Sequence, residues 1–274
     1  MEAPLYSGFP LDPSAPMGGA RVYSVGPRHL AGDDGRPYDA VADALGGLGW
    51  TSLTTVRGRL DPDEAPEDRQ VLRSTVLHIS PESLCWAQWV LADEPFHLGD
   101  LPIAWQVSAR ADTSSPAEWS AYFTTGVPGE AVADFLAALD AHAQPAVPLV
   151  RPELVVDAVT AHGWLLDADQ SAGATDPTFI SHVSLGEVPP LIQDADPRTL
   201  TGEPDEPEPH GWQAWAQPAP DAPYLWAVSF STSVPHDLVA AFAASLSSTE
   251  SVLRRVVPEA TRERLLWTPA GQDL

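Results

Sequence analysis

Lysine is absent from this 274-residue chain: all fourteen of its basic residues are arginines, set against 38 acids for a net charge of −24. So large a negative charge works against a nonspecific nucleic-acid or bilayer surface and favours solubility. Cysteine is nearly absent too. A lone Cys85 excludes an intramolecular disulfide and a cysteine-based metal cluster. No apolar run approaches the ~20 residues of a membrane helix. Met1–Ala20 lacks the basic start and apolar stretch of a secretory leader. These absences together set the expectation of a cytoplasmic protein.

Catalytic signatures are missing as well. The chain has no glycine-rich phosphate loop, no Gly-x-Ser-x-Gly elbow and no helical zinc pair of histidines around a glutamate. Its eight histidines form no cluster in sequence, and acid pairs such as Asp33-Asp34 and Asp93-Glu94 sit in loops. The expectation is a non-catalytic protein with no cofactor and no metal.

What is present is a repeat. Trp119 to Leu139 lies over Trp226 to Leu246 without a gap, with Trp, Phe, Thr, Val-Pro, Val-Ala, Phe and Leu in matching places. Val41–Trp50 resembles Val155–Trp164, Pro102–Ala109 resembles Pro209–Ala216, and Thr75–Ser80 resembles Phe179–Ser184. The spacing between blocks shifts while their order holds, as expected when duplicated units drift through their loops.

Each copy reads as a helix, about four antiparallel strands and a second helix. The first pair of helices, 38–48 and 152–162, ends at Gly49-Trp50 and Gly163-Trp164, where glycine can stop a helix. The second pair, 129–143 and 235–253, starts at Val127-Pro128 and Val234-Pro235, where a missing N–H costs nothing. First-copy strands are expected at 51–57, 71–79, 84–92, 103–110 and 118–125. Second-copy strands are expected at 164–168, 178–185, 188–193, 211–217 and 224–232. The fold class is therefore α+β, two similar tandem domains. The divisions are an arm at 1–25, a first unit at 26–146, a second at 147–253 and an arginine-bearing tail at 254–274. The acidic, proline-rich loop 194–209 is a solvated segment or a dock for a basic partner.

Strand alternation sorts the aromatic residues. Trp119, Ala121 and Phe123 share a core face, as do Trp226, Val228 and Phe230, and Trp105 and Trp212 face the core on the neighbouring strands. The opposite face presents Gln106, Arg110 and Tyr122 in the first copy and Gln213 and Trp215 in the second, which makes it the candidate ligand or partner surface, the alternatives being two sheets packed together there or a solvated face. His78 and His182 occupy matching positions in the aligned blocks and join that list. The tail residues Arg254, Arg255, Arg262 and Arg264 form either a helical extension ion-paired to the acidic body or a partner-binding tail.

Val25-Gly-Pro-Arg-His-Leu-Ala-Gly32, the Gly49-Trp50 helix end, Ser80-Pro81-Glu82, Trp105 and the Trp119…Val127-Pro128…Phe135 block together resemble the SPDY-type actinobacterial domain of unknown function, which often occurs in tandem. The second copy departs where Ser184-Leu185-Gly186 stands in place of the Ser-Pro turn. The resemblance implies no activity and no catalytic residues. The leading expectation is a cytoplasmic protein-binding or scaffolding module. The alternative is a single-stranded nucleic-acid binder that uses an open sheet face and aromatic platforms.

Overall fold

A computed structural model describes residues 22–33, 37–57, 73–90, 97–186, 210–219 and 222–270. The acidic 194–209 loop and the expected strand at 188–193 lie outside the described residues. The class is α+β.

Helix α1 (Pro37–Gly47) leads into strands β2 (Thr51–Arg57), β3 (Arg73–Ile79), β4 (Cys85–Trp89), the short β5 (His97–Leu98), β6 (Leu101–Ala109) and β7 (Trp119–Thr124), then α2 (Gly129–Asp140). The second series is α3 (Pro152–Thr160), β8 (Leu165–Leu166), β9 (Gly173–Thr175), β10 (Ser181–Leu185), β11 (His210–Ala216), β12 (Trp226–Ser231) and α4 (His236–Ser247). Gly49 and Gly163 end α1 and α3 at φ of +80° and +87°, a left-handed backbone that a side chain resists, although nothing would crowd a Cβ at either position. Pro128 and Pro235 sit at the N-caps of α2 and α4.

All these strands belong to one antiparallel sheet, in the order β2-β3-β4-β6-β7-β12-β11-β10-β9-β8, with β5 paired to β6. The two halves meet at β7 and β12, where Phe123 pairs with Val228, Tyr122 with Ser229 and Ala121 with Phe230. Tyr122 and Ser229 are matched positions of the repeat, as are Phe123 with Phe230 and Ala121 with Val228. The junction is therefore isologous, like a twofold dimer interface drawn into one chain.

The helices line one face, with α2 packed against α4, α1 against α2 and α3 against α4. Beneath α2 and α4, Phe123, Phe135, Phe230 and Phe242 form a quartet with centroids 5.5–5.8 Å apart. All four rings are buried. The same core takes in Trp105, Trp119, Trp212 and Trp226, the tryptophans that alternation had put there.

The ends of the described chain close on each other. β1 (Tyr23–Gly26) pairs with β13 (Val252–Arg254) and with β14 (Leu266–Pro269) in a small second sheet. The segment after α4 is thus two strands around a 3-10 turn at Glu259–Arg264, not a helical extension. α4 stops at Ser247 because the chain turns away to pair with β1.

The register corrects one alignment. β10 pairs with β11 as β4 pairs with β6, Ser181 opposite Ala216 as Cys85 is opposite Ala109. β10 is therefore the counterpart of β4, and β9 is the counterpart of β3. The Ser-Pro turn is not lost from the second copy but stands earlier, as Asp176-Pro177. Ser83 and Phe179 take φ of +59° and +57° in the two turns. In each, the first residue's side-chain oxygen accepts the N–H of the strand's first residue: Cys85 N–H to Ser80 Oγ at 3.1 Å, and Ser181 N–H to Asp176 Oδ1 at 2.6 Å.

Candidate binding face of the sheet

The face away from the helices is a set of cross-strand rows fixed by register. One row runs through the whole sheet: Leu53, Leu77, Gln88, Gln106, Tyr122, Ser229, Gln213, Ser184 and Gly173. It brings together Gln106, Tyr122 and Gln213, which are scattered over a hundred positions in sequence. The matched glutamines flank the junction pair Tyr122 and Ser229.

The two ends of this row differ. Gln106, Tyr122 and Gln88 are half-buried, and Leu53 at the edge is 53% exposed. Gln213 is 1% exposed, and both ends of its amide lack a hydrogen-bond partner. Trp215 is also buried, in a second apolar cluster with Val90, Leu98, Ile103 and Ala227. His182 stacks on Trp215 with centroids 5.1 Å apart, and its Nδ1 meets Thr175 Oγ1 at 3.0 Å. Gln213 and Trp215 therefore belong to the enclosed part of the face, against which Tyr122 also packs, and the row becomes more accessible toward Leu53 on β2.

His78 and His182 do not share a face. His78 pairs with Ala87 on the helix side, where its ring packs against Tyr38 and Trp105. Burial pushes its imidazole below the usual histidine range, so it stays neutral. The structural counterpart of His182 is Trp86, since each faces the matching position of the next strand (Trp215 and Ser108). Arg110 lies 5.6 Å from the Trp86 ring and donates from Nε and Nη2 to the Ser83 carbonyl, so its guanidinium is engaged.

The tail arginines divide. Arg254 is buried, makes a bidentate pair with Glu130 at 2.6 and 2.8 Å, and also donates to the carbonyl of Gly32. Burial raises the Glu130 carboxyl, but the Arg254 hydrogen bonds and charge outweigh it and hold the group below its ordinary value. Arg262 covers the Trp267 ring, Arg264 donates to the Pro218 carbonyl, and Arg255 is exposed. Among the described residues no three of His, Cys, Asp and Glu converge as a metal-ligand set.

Alternation on β4 was the available signal for the residues that sequence reasoning missed. Cys85 and Ala87 point to the core, so Trp86 and Gln88 must point to the open face.

An α+β sheet layered by helices on one side, with a polar and aromatic row on the other, is a scaffold on which side chains can be displayed. Residues 79–146 and 196–252 match the SPDY domain, a domain of unknown function (DUF317), with one matched segment in each half. No curated protein and no solved structure matches the chain. Among the described residues no helix is long and apolar enough to cross a membrane.

Proposed function

We propose that the chain is a tandem pair of helix–meander–helix units, fused edge to edge into one sheet, that acts as a non-catalytic cytoplasmic protein-binding or scaffolding module. The observation that carries this reading is the accessible stretch of the through-sheet row. Leu53, Leu77, Gln88, Gln106 and Tyr122 give an apolar end, two amides and a phenol on a rigid platform. That mixture suits a polypeptide, whose backbone satisfies the amides while its side chains cover Tyr122 and Leu53. The outer edge of β2, which pairs with no strand among the described residues, extends the same surface. Thr51–Thr55 are exposed, uncharged and free of proline, the features by which an edge accepts another strand.

The nucleic-acid reading needs cations on this face. Arg110 is committed to Ser83 and Trp86, and the row itself carries no positive charge. Although Arg57 pairs with Arg73 farther along β2 and β3, a net charge of −24 opposes a polyanion, so the alternative is the weaker of the two. A photo-crosslinking residue at Gln88 in the native cytoplasm is expected to capture one stoichiometric protein. Gln106→Arg should weaken that purified complex by about tenfold or more. Failure to capture a protein, or a complex indifferent to Gln106→Arg, would sink the reading. Salt-sensitive binding of labelled single-stranded DNA at low ionic strength would replace it with the alternative.

A further inference from the structure

The segment before α1 reaches β12, and the segment before α3 makes the equivalent contact with β7. The Trp226 indole N–H donates to the His29 carbonyl at 2.9 Å, and the matched Trp119 indole donates to the Pro145 carbonyl at 2.7 Å. His29 lies in a one-turn segment where Ala31 N–H reaches Arg28 O; Pro145 lies in one where Val147 N–H reaches Gln144 O. His29 and Pro145 are thus equivalent places in the fold, and each faces the turn that opens β10 or β4.

What occupies these two places differs. In the second half the His29 imidazole fills the space, its Nε2 3.7 Å from Asp176 Oδ2 and its ring edge-on to Trp164. Both His29 and Asp176 are buried. In the first half Pro145 carries no such group, and Ser80 stands where Asp176 does. The space is a cleft of about 190 Å³, lined by Ser80, Glu82, Cys85, Asp140, His142 and Pro145.

The lining of this cleft offers acceptors. Asp140 Oδ1 takes the Trp50 indole N–H at 2.6 Å. Its carboxylate keeps further lone pairs for a ligand. His142 Nε2 contacts Asp237 at 3.1 Å, and its buried Nδ1 has no hydrogen-bond partner. In the neutral tautomer whose Nε2–H donates to Asp237, Nδ1 is left as an acceptor. The Cys85 thiol is pushed up to about 12 by burial and then by the Asp140 and Glu82 carboxylates, so it stays protonated and adds no charge.

We infer that this cleft is a binding site for a planar, donor-rich cation, an imidazolium or guanidinium group, which would fill from outside the chain the place that the flat His29 ring fills in the second half. The ligand's flat face lies against Pro145 while its N–H groups reach Asp140 and His142. The same chemistry is available from a free solute and from a histidine or arginine side chain of a partner.

The Trp50 indole N–H, bound to Asp140, is a built-in reporter. Indole ¹⁵N-labelled protein at pH about 7 is titrated with methylguanidinium, with a blocked Gly-Arg-Gly peptide and with imidazole. The expected result is a saturable shift of the Trp50 indole resonance, with Trp226 unmoved. N-methylurea, planar and neutral, should leave it in place. Asp140→Asn, which can still accept from Trp50, should weaken binding about tenfold or more. Pro145→His with Ser80→Asp, which rebuilds the second half's pair, should abolish the shift. Tighter binding of the peptide than of either free cation assigns the site to a partner side chain, and the reverse assigns it to a solute. A Trp50 resonance that no cation moves, an equal response to N-methylurea, or undiminished binding by folded Asp140→Asn would overturn the inference.

Discussion

His78 shows how one buried side chain sets a pH dependence. Its ring is 3% exposed against Tyr38 and Trp105, and desolvation lowers its pKa in the folded chain. Below the unfolded value near 6.5 the unfolded chain binds a proton that the folded chain refuses. Stability from this group is therefore complete above pH about 6.5 and falls as the pH drops below it. His236, also lowered by burial, adds a slope of the same sign. His78→Phe is expected to flatten, not abolish, the decline in denaturant midpoint between pH about 6.5 and 5. Cys85 gives a second test at this scale: 4% exposed and with its thiol held near 12, it should resist Ellman's reagent at neutral pH until the chain is denatured. Fast reaction of the native protein would contradict the burial described.

At the scale of elements, Arg254 is the pin that holds the closing strands to the helical layer. It joins β13 to the N-terminus of α2 through Glu130 and to the Gly32 carbonyl. Arg254→Ala strands a partly buried carboxylate and is expected to cost about 3 kcal/mol in urea unfolding. Because Glu130 is held low, its contribution is present above about pH 4.5 and lost as pH falls through its depressed value. The wild type should therefore lose its advantage over Arg254→Ala in acid. The sequence offered ion-pair docking of this arginine-bearing tail as one of two readings, the other being a partner-binding tail. It did not tell that the docking element is a strand, since Val252–Arg254 acquires that conformation only by pairing with β1 across the length of the chain.

For the whole molecule, the junction of β7 and β12 makes one sheet and one core of two sequence units. Phe135→Ala removes a ring shared between both halves and is expected to cost about 3–5 kcal/mol. Because the Phe quartet spans the junction, tryptophans of both halves should report a single unfolding transition. A fragment of residues 37–148 leaves β7 without its partner. The isologous register allows a second copy of β7 to take the place of β12, with Tyr122 on the axis. Such a fragment is expected to sediment as a dimer, and a folded monomer at all concentrations would argue against the self-complementary junction.

Much of this was legible in the chain. Local rules found the four helices, the Gly-Trp ends and Pro starts, and the core faces of β6, β7, β11 and β12, because alternation and capping act over a few residues. Strand β9, only the three residues Gly173–Thr175, was missed, and His182 was matched to His78 instead of being placed opposite Trp215. A short strand has too little pattern to be seen, and only pairing reveals which strand it corresponds to. The open face was legible as Gln106, Tyr122 and Gln213. That Gln213 and Trp215 are enclosed while Gln88 and Leu53 are accessible follows from neighbours distant in sequence. By itself, then, the sequence determined an α+β chain with an internal repeat, through periodicity and repeated caps, and its likeness to the SPDY domain. The tertiary structure alone decided that the two copies share one sheet, set the segments before α1 and α3 against β12 and β7 and leave one cleft open where His29 fills the other, because these depend on which edges and cavities meet when the chain closes on itself.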